Sequence, residues 1–442
     1  MGTGSLIRPT PSQHFPSKNL ARLARPSFRF STNSPPLAAA AASALLMKQV
    51  AVIGSGMSGA VCAAALAGKG LAVSVFESGR GPGGRTSQRR ETSGDGRDLL
   101  FDHGAPFFTA KSDEMISLVS IWEAKSLVAE WKKSFGCFDR INRKFLNLEM
   151  DGIESQATLA LNSALSWAER QGSLYVIDRE GSIPKYVGVP GMNSVCKALC
   201  AEPGVNCKFG VTIGKLDWLE DRSMWLLTAL DGANLGQFDG VVLTDKNIAS
   251  PRFTGQTGRP PPLDISLVPE VAKKLHEIPV RSCFALMLAF SEPLSFIPVK
   301  GFSFRNSEVL SWAFCDSSKP GRYVGSHHSE KWVLHSTAEY AREIIAQTGL
   351  QKPSNATLTK VADELFQEFQ SVGFNVPQPF FMKAHRGSAF PADAVAREEG
   401  CLYDKSKRLA ICGDFCVSPS VEGAVLSGMQ AAAKLVDIFS RL

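Results

Sequence analysis

A glycine-rich segment near the start of the chain has the residue types and spacing of a dinucleotide-binding turn. Gly54, Gly56 and Gly59 form a complete G-x-G-x-x-G directly after an apolar run, Val50 to Ile53. Gly54 allows a tight turn, Gly56 lets the backbone approach a pyrophosphate, and Gly59 lets a helix pack against the strand. Glu77 ends a second apolar run 18 residues after Gly59, where its carboxylate can accept hydrogen bonds from ribose hydroxyls. The alternative is a structural turn that binds nothing.

A strand, a helix and a second strand are predicted to position this turn. An Ala-rich helical pattern runs from Ala60 to Ala67, and the second apolar run extends from Leu71 to Phe76. The free N–H groups at the start of such a helix, together with its dipole, can hold an anion. We therefore expect Met57 and Ser58, at the start of the helix, to contact the cofactor.

A second glycine-rich segment directly behind Glu77 narrows the choice of cofactor. Residues Gly79 to Arg85 contain four glycines and two arginines. Nicotinamide dehydrogenases do not need this segment. A flavin dinucleotide does, because the backbone must follow the pyrophosphate and ribitol while an arginine meets the phosphate bidentately. The sequence therefore predicts bound FAD, and a flexible basic loop is the alternative.

The C-terminal region repeats the pattern of a strand, a turn and a helix. An apolar run from Leu409 to Cys412 leads into Gly413 and Asp414, and a long helix with small residues follows from Val421. Asp414 can bond a ribitol hydroxyl or a phosphate-bound water, and the helix N-terminus can face the flavin pyrimidine. We predict that these two distant parts of the chain converge on one FAD molecule.

Local patterns between these ends predict further elements. Ser112 is a plausible N-cap of a helix, and residues 208–243 read as a β-meander that ends in a returning strand of the nucleotide domain. A buried strand is predicted over 283–290, a shorter strand over 331–334, and a helix over 359–369. Residues 135–184 are poorly periodic and receive no assignment.

Charge is concentrated at the N-terminus. The 442 residues carry a formal net charge of +6, but residues 1–47 contain five Lys or Arg and no acid. Because the rest is nearly neutral, the sequence does not indicate nucleic-acid binding. A Ser- and Arg-rich, acid-poor leader predicts an organelle transit peptide over 1–46, with chloroplast favoured and mitochondrion or a disordered cytosolic tail as alternatives. No apolar segment is long enough to span a bilayer.

The ten cysteines are scattered and form no C-x-x-C motif. We interpret them as reduced thiols rather than as a zinc site or a disulfide set, and we predict no metal.

Several motifs together resemble the renalase-like group of FAD-dependent oxidoreductases, which belongs to the FAD-linked amine oxidase superfamily. The resemblance extends from about Met47 to the C-terminus. The motifs that carry it are Val52 to Gly59, Glu77 with Gly79 to Arg85, Asp102 to Phe108, Pro190 to Asn193, His335 to Thr337, and Gly413–Asp414 with Val421 to Ala424. One departure is Val241 to Asn247, where relatives usually carry a proline after the strand.

The resemblance implies an α/β fold with a discontinuous, Rossmann-like FAD-binding domain of the two-dinucleotide-binding type. We place this domain at 47–110, 185–250 and 400–442. The interleaved α+β substrate domain, 111–184 and 251–399, is built on an antiparallel sheet over the flavin. The predicted cofactor-binding residues are Gly54, Gly56, Met57, Ser58, Gly59, Glu77, Ser78, Arg80, Gly84, Arg85, Gly104, Ala105, Pro106, Phe107, Gly413, Asp414, Glu422, Gly423 and Ala424.

Hydride transfer to a flavin requires mainly orientation and exclusion of water from the protein. The residues that could line the flavin face are His103, Tyr186, Val187, His335 and Arg386; we predict catalytic roles for His103, His335 and Arg386. A core role is the alternative for His335, and a carboxylate partner is the alternative for Arg386.

Three functions follow from these observations. The first is a renalase-like oxidase, which takes a hydride from reduced nicotinamide, with NAD(P)H as a possible substrate, or from another small donor, and passes electrons to oxygen. The second is a flavin amine oxidase, or a desaturase or oxidase of the same superfamily that acts on an apolar isoprenoid or tetrapyrrole. The third is a non-catalytic escort without flavin.

Overall fold

A computed structural model describes residues 48–147, 183–276, 278–322, 329–372, 375–387 and 390–441. The predicted transit peptide, 1–46, lies outside the described residues, as do positions 148–182 of the predicted substrate domain. The strands are β1 Gln49–Ile53, β2 Ala72–Glu77, β3 Arg89–Thr92, β4 Asp98–Phe101, β5 Val128–Glu130, β6 Phe135–Asp139, β7 Lys144–Asn147, β8 Tyr186–Gly188, β9 Val205–Phe209, β10 Ile213–Leu219, β11 Met224–Ala229, β12 Asn234–Phe238, β13 Gly240–Leu243, β14 Val280–Arg281, β15 Phe284–Phe290, β16 Gly301–Arg305, β17 Leu310–Cys315, β18 Glu330–Ser336, β19 Phe381–Arg386, β20 Phe390–Pro391, β21 Leu402–Asp404 and β22 Leu409–Ile411.

The helices follow the same chain order. They are α1 Met57–Ala67, α2 Asp113–Ala124, α3 Ser194–Cys200, α4 Pro251–Thr257, α5 Pro269–His276, α6 Ala338–Thr348, α7 Asn355–Gln370, α8 Asp414–Val417 and α9 Val421–Ser440.

A six-stranded sheet in the order β21-β22-β13-β1-β2-β9 carries the glycine-rich turn. Its strands are parallel except for β21, which runs antiparallel to β22. Val50, Ala51 and Val52 in the central strand β1 are fully buried. Both faces of the sheet are covered, because Val50 and Val52 pack with α1 and α9 while Ala51 packs with the β10-β11-β12 meander. A parallel sheet covered on both faces requires such continuous apolar strands.

Small residues let α9 approach α1 closely. A Cβ atom on Gly428 would overlap the carbonyl oxygen of Ser58. Ala431 and Ala432, one turn further along α9, are buried in the core that α9 shares with α1. The small-residue pattern of the C-terminal helix is therefore explained by its contact with the helix that follows the glycine-rich turn.

A second, seven-stranded sheet has the order β19-β15-β18-β17-β16-β6-β7. Neighbouring strands are antiparallel except for β16 and β6, which are parallel, so the sheet is mixed rather than purely antiparallel as predicted. All seven residues of β15 are buried. Ala285, Met287 and Ala289 face one core, and the alternate residues of β15 face the core that contains α6 and α7.

The predicted α/β class with a Rossmann-like nucleotide domain is confirmed. The strand predicted over 283–290 is β15, the helix predicted over 359–369 lies within α7, and the meander and the returning strand β13 are present. The first sheet draws its strands from 49–77, 205–243 and 402–411. Because the described residues belong to one compact unit, the boundary between the two domains stays a prediction. Within the described ranges, no helix is long and apolar enough to cross a bilayer.

Candidate functional site

A cavity of about 980 Å³ lies at the carboxyl ends of β1 and β2. Its wall contains Gly54, Glu77 and Arg85 from the N-terminal segment, and Asp414 and Ala424 from the C-terminal segment. Ligands of open α/β sheets bind outside the carboxyl ends of the strands. The volume is at the upper end of the range for small-molecule sites, which suits a large ligand.

The glycine-rich turn has the geometry that its sequence predicts. Gly54 has a φ of +102° and donates its N–H to the carbonyl of Phe76 at 2.8 Å. A Cβ atom on Gly59 would overlap the carbonyl oxygen of Gly54, so only glycine permits this strand–helix contact. Gly56, the N-cap of α1, has no neighbour closer than 3.9 Å at its Cβ position and faces the cavity. The backbone can therefore be approached closely at Gly56.

Glu77 is held firmly at the cavity wall. One carboxylate oxygen accepts from the Ser55 N–H at 2.9 Å and from the Ser55 hydroxyl at 2.7 Å, and the other accepts from the Gly79 N–H at 2.6 Å. The Ser78 hydroxyl also donates to Glu77, but at 3.4 Å, so a ribose hydroxyl can take the place of this long hydrogen bond. Ser78, Arg80 and Gly84, which are among the predicted cofactor-binding residues, also line the cavity.

Arg85 and Asp414 form a bidentate ion pair on this wall. The Nη1–Oδ2 distance is 2.5 Å and the Nη2–Oδ1 distance is 2.7 Å. Burial alone would lower the pKa of Arg85, but the charge and hydrogen bonds of Asp414 outweigh it and the pKa is raised. Asp414 is buried, whereas the Arg85 side chain is 29% exposed. Arg85 therefore keeps donors for a phosphate while Asp414 fixes its orientation.

The Glu422 side chain makes a structural contact away from the cavity, and its predicted cofactor contact stays a prediction. Its carboxylate accepts from the Ser112 N–H at 2.7 Å and from the Ser112 hydroxyl at 2.6 Å, and it lies off the cavity wall. Ser112 also caps α2, so Glu422 ties α9 to α2.

Gly423 and Gly413 support the loop around α8. A Cβ on Gly423 would overlap the Ser418 carbonyl, and the Gly413 N–H donates to the Ser427 hydroxyl at 3.0 Å.

The segment from Gly104 to Phe107 supports Arg85 from behind. The Ala105 N–H donates to the Arg85 carbonyl at 2.9 Å, and a Cβ atom on Gly104 would overlap that same oxygen. Ala105 lines the cavity, whereas Gly104, Pro106 and Phe107 do not. The Phe107 ring packs edge-on against Phe135, in the core.

His103 lies on the cavity wall, but His335 lies behind it. The Nε2 atom of His335 is 2.9 Å from the carbonyl oxygen of His103, and His335 is buried. The predicted catalytic position of His335 is therefore corrected to a supporting one in the core. Tyr186 and Val187 also lie off the cavity wall, because β8 pairs with β5 and packs beside Phe108.

Arg386 lines the cavity, but part of its guanidinium is already engaged. It donates to the backbone carbonyls of Gly349 at 3.1 Å and Leu350 at 2.5 Å, just beyond α6. These contacts fix the end of β19, and the catalytic role of Arg386 stays a prediction.

Sequence reasoning missed several cavity residues. His385 faces His103 with a ring-centroid distance of 5.2 Å, and Lys246 and Arg252 line the wall beyond β13. Although the segment Val241 to Asn247 lacks the proline that relatives usually carry, Thr244 to Ile248 line the cavity. The sequence offered one signal for these residues, since His385 directly precedes Arg386, which we predicted to be catalytic.

The fold and this cavity define a dinucleotide-binding flavoprotein. Residues 52–122 match the NAD(P)-binding Rossmann-like domain, and residues 130–436, more than half of the chain, match the flavin containing amine oxidoreductase family. The chain belongs to the flavin containing amine oxidoreductase family.

Solved structures of putrescine oxidase share the fold. The wild-type enzyme bound to putrescine has a TM-score of 0.61 and 15% identity, and the match covers 88% of this chain and 99% of that chain. A triple mutant from a redesign of cofactor binding in the same enzyme has a TM-score of 0.60 and 14% identity over the same shares.

The residues on the wall fit FAD. The open Cβ position at Gly56 leaves room for a pyrophosphate, Glu77 retains acceptor capacity for a ribose, and Arg85 retains donors for a phosphate. The protein is an FAD-dependent oxidoreductase of this family. Its prediction as an enzyme that uses FAD is confirmed, and the non-catalytic escort is set aside.

Proposed function

We propose that the enzyme takes a hydride from a reduced nicotinamide and passes the electrons to oxygen, in the manner of the renalase-like group. The observation that carries this proposal is the charge of the cavity wall. Among the lining residues that the structure describes, eight are Lys or Arg and three are Asp or Glu. The basic residues are Arg80, Arg85, Arg89, Arg90, Lys197, Lys246, Arg252 and Arg386; the acids are Glu77, Asp245 and Asp414.

Each acid already has a structural partner. Glu77 accepts from Ser55 and Gly79, Asp414 pairs with Arg85, and Asp245 caps the following turn by accepting from the Asn247 N–H at 2.9 Å. FAD carries a pyrophosphate, which balances part of the positive charge. The remaining charge favours a phosphate-bearing donor and disfavours a protonated amine.

Two neutral imidazoles form the polar part of the wall near β19. Burial, and then the charge of His385, lower the pKa of His103 to about 3; burial, and then the charge of Arg89, lower the pKa of His385 to about 4. At neutral pH both rings can donate or accept a hydrogen bond without carrying charge.

In this proposal, FAD and the residues of the cavity wall have separate roles. When bound, FAD supplies the hydride acceptor. Arg386 holds β19 in place through its two carbonyl contacts, and β19 presents His385 to the cavity. His103 and His385 orient the donor, and the basic wall attracts its phosphates.

Amine oxidation is the second candidate. The likeness of the fold to putrescine oxidase favours it, although that likeness extends to the fold alone. It requires a place for a protonated amine, and the basic residues of the described wall outnumber its acids by eight to three. An apolar isoprenoid or tetrapyrrole substrate is the less favoured form of this candidate, because charged residues dominate the lining.

Anaerobic reduction of the purified protein distinguishes these functions. NADH, NADPH, their reduced isomers, putrescine and an isoprenoid are each added without oxygen, and the flavin absorbance is followed. We expect at least one reduced nicotinamide to bleach the flavin, and air to restore the colour with release of hydrogen peroxide. Bleaching by an amine and by no nicotinamide would replace the proposal with amine oxidation.

We also propose that residues 1–46 direct the protein to chloroplasts, on the basis of their composition. A fusion of this segment to a fluorescent reporter tests the address. A reporter that stays in the cytosol would refute it, and a mitochondrial signal would select the alternative.

A further inference from the structure

Three basic side chains line the cavity on segments that carry no recognised dinucleotide motif. Lys246 begins the short turn after β13, Arg252 lies in the first turn of α4, and Arg386 ends β19. They are separate in sequence from the glycine-rich segments that we assign to FAD, but the charges of both Arg85 and Arg252 act on Lys246, which therefore also borders the FAD phosphates. We call Lys246, Arg252 and Arg386 the basic cluster.

Arg252 has one weak side-chain hydrogen bond and one buried donor without a partner. One Nη donates to the Ser282 hydroxyl at 3.3 Å, a long hydrogen bond, while its Nε atom is buried without a partner among the described residues. Arg252 also makes no ion pair within the described ranges. A buried donor without a partner costs free energy comparable to a lost hydrogen bond, and an anion that draws the guanidinium toward the cavity, which Arg252 lines, would recover it.

The members of the basic cluster also repel one another. Burial, and then the charge of Arg252, lower the pKa of Arg386. Burial lowers the pKa of Arg252 despite the nearby charge of Asp245. Partly buried cations that are crowded in a cleft and lack enough counter-charge are typical of sites whose counter-charge arrives with a ligand.

We propose that Arg252 is the centre of a second anion site, which holds a phosphate group of the electron donor while Gly54 to Gly59 and Arg85 serve the pyrophosphate of FAD. The guanidinium provides a planar fork that matches phosphate oxygens. The donor is then a phosphorylated nicotinamide compound rather than the free riboside. This inference rests on the proposed function.

The test compares donors that differ in phosphate content. Holoenzyme with Arg252→Gln is reduced anaerobically by NADH, by reduced nicotinamide mononucleotide and by reduced nicotinamide riboside, which has no phosphate. We expect the Kd of the two phosphorylated donors to rise about tenfold or more, as for loss of a hydrogen bond to a charged group. The Kd of the riboside and the flavin content of the protein should be unchanged.

Arg259→Gln is the matched control, because Arg259 follows α4, is exposed and lies off the cavity wall. It should leave every Kd unchanged. Equal losses for the riboside and the phosphorylated donors, or no loss at all, would overturn the proposal. Loss of FAD from Arg252→Gln would also overturn it, since Arg252 would then belong to the cofactor site.

Binding of inorganic pyrophosphate to the oxidised holoenzyme, followed by calorimetry, separates this inference from the proposed function. If no nicotinamide reduces the wild-type flavin, the proposed function fails. Binding of pyrophosphate that Arg252→Gln removes and Arg259→Gln retains would still support the anion site. Absence of pyrophosphate binding to the wild-type holoenzyme would overturn the site itself.

Discussion

Arg85 and Asp414 are 329 positions apart in the sequence, yet they form a two-point ion pair on one cavity wall. Arg85 ends the second glycine-rich segment, and Asp414 begins α8 directly after the last strand of the nucleotide sheet. The pair therefore joins the two ends of the folded chain at the cofactor site. A change in Asp414 should act on cofactor retention as well as on stability.

Replacing Asp414 by Asn should release FAD. The substitution keeps the shape of the side chain but removes the charge that orients the Arg85 guanidinium. Because Arg85 is partly exposed, we expect a loss of stability of about 1–3 kcal/mol, less than for a fully buried pair. The ratio of flavin to protein absorbance and the melting temperature measure the two effects.

Asp437→Asn is the control for this change, because Asp437 lies on the neighbouring helix α9 and pairs with Arg441 in an exposed position. It should change neither quantity. Full flavin occupancy in Asp414→Asn would contradict the role of the ion pair.

The sequence predicts well those parts of the site that local sterics determine. The positive φ of Gly54 and the close contact at Gly59 follow from the G-x-G-x-x-G motif itself. The convergence of Asp414 with this turn was also predictable, because the C-terminal strand, turn and small-residue helix complement the N-terminal unit.

Contacts between distant segments could not be predicted in this way. The Glu422 carboxylate binds Ser112, 310 positions earlier, and nothing in the local pattern around Glu422 distinguishes this partner from a cofactor. The same limit applies to the parallel pairing of β16 with β6, which makes the second sheet mixed. His335 looked catalytic because its residue type suits proton transfer, but packing beneath His103 decides its role.

Replacing Gly428 by Ala should destabilise the nucleotide domain. The new methyl group would overlap the Ser58 carbonyl, so α9 and α1 would have to separate. Overpacking of this kind costs about 1–3 kcal/mol, which exceeds the gain in helix propensity of about 1 kcal/mol. Thermal unfolding measures the net loss. Gly94→Ala is the control, because nothing lies within 4 Å of its Cβ position; equal melting temperatures for the two variants would contradict the close helix contact.

Replacing Glu77 by Ala should weaken FAD retention. The change removes the acceptor for the Ser55 and Gly79 N–H groups as well as the predicted ribose contact. We expect the Kd of FAD for the apoprotein to rise at least about tenfold. Titration of apoprotein with FAD measures it, and Glu398→Ala, at an exposed position, is the control. An unchanged Kd would rule out the ribose role.

Acid should destabilise the protein through its buried histidines. Burial is the largest cause that lowers the pKa of His335 and His385 to about 4 and that of His103 to about 3. In the unfolded chain these rings bind protons below about pH 6.5. The unfolded state therefore binds more protons between pH 6.5 and 4, and the free energy of unfolding falls as the pH drops through this window.

Each such histidine contributes a slope of up to about 1.4 kcal/mol per pH unit. Urea unfolding at pH 7, 6 and 5 measures the total slope. His335→Asn removes one titrating ring and should reduce the slope by about one proton. A slope that is the same in the variant and the wild type would show that His335 takes up its proton in the folded protein at the ordinary pH.

Affinity for FAD should fall in alkaline solution because of Lys246. Burial, and then the charges of Arg85 and Arg252, lower its pKa to about 8 in spite of the opposing effect of Asp414 and Asp245. Below this pH the ammonium is charged and attracts the FAD phosphates. Above it, binding requires protonation of Lys246 first, so the Kd of FAD should be constant below about pH 8 and rise by up to about tenfold per pH unit above it. In Lys246→Arg the Kd of FAD should stay low and constant to pH 10, because arginine remains charged. In Lys246→Met the Kd should be higher and the same at every pH. A wild-type Kd that is constant to pH 10 would show that Lys246 does not face the cofactor.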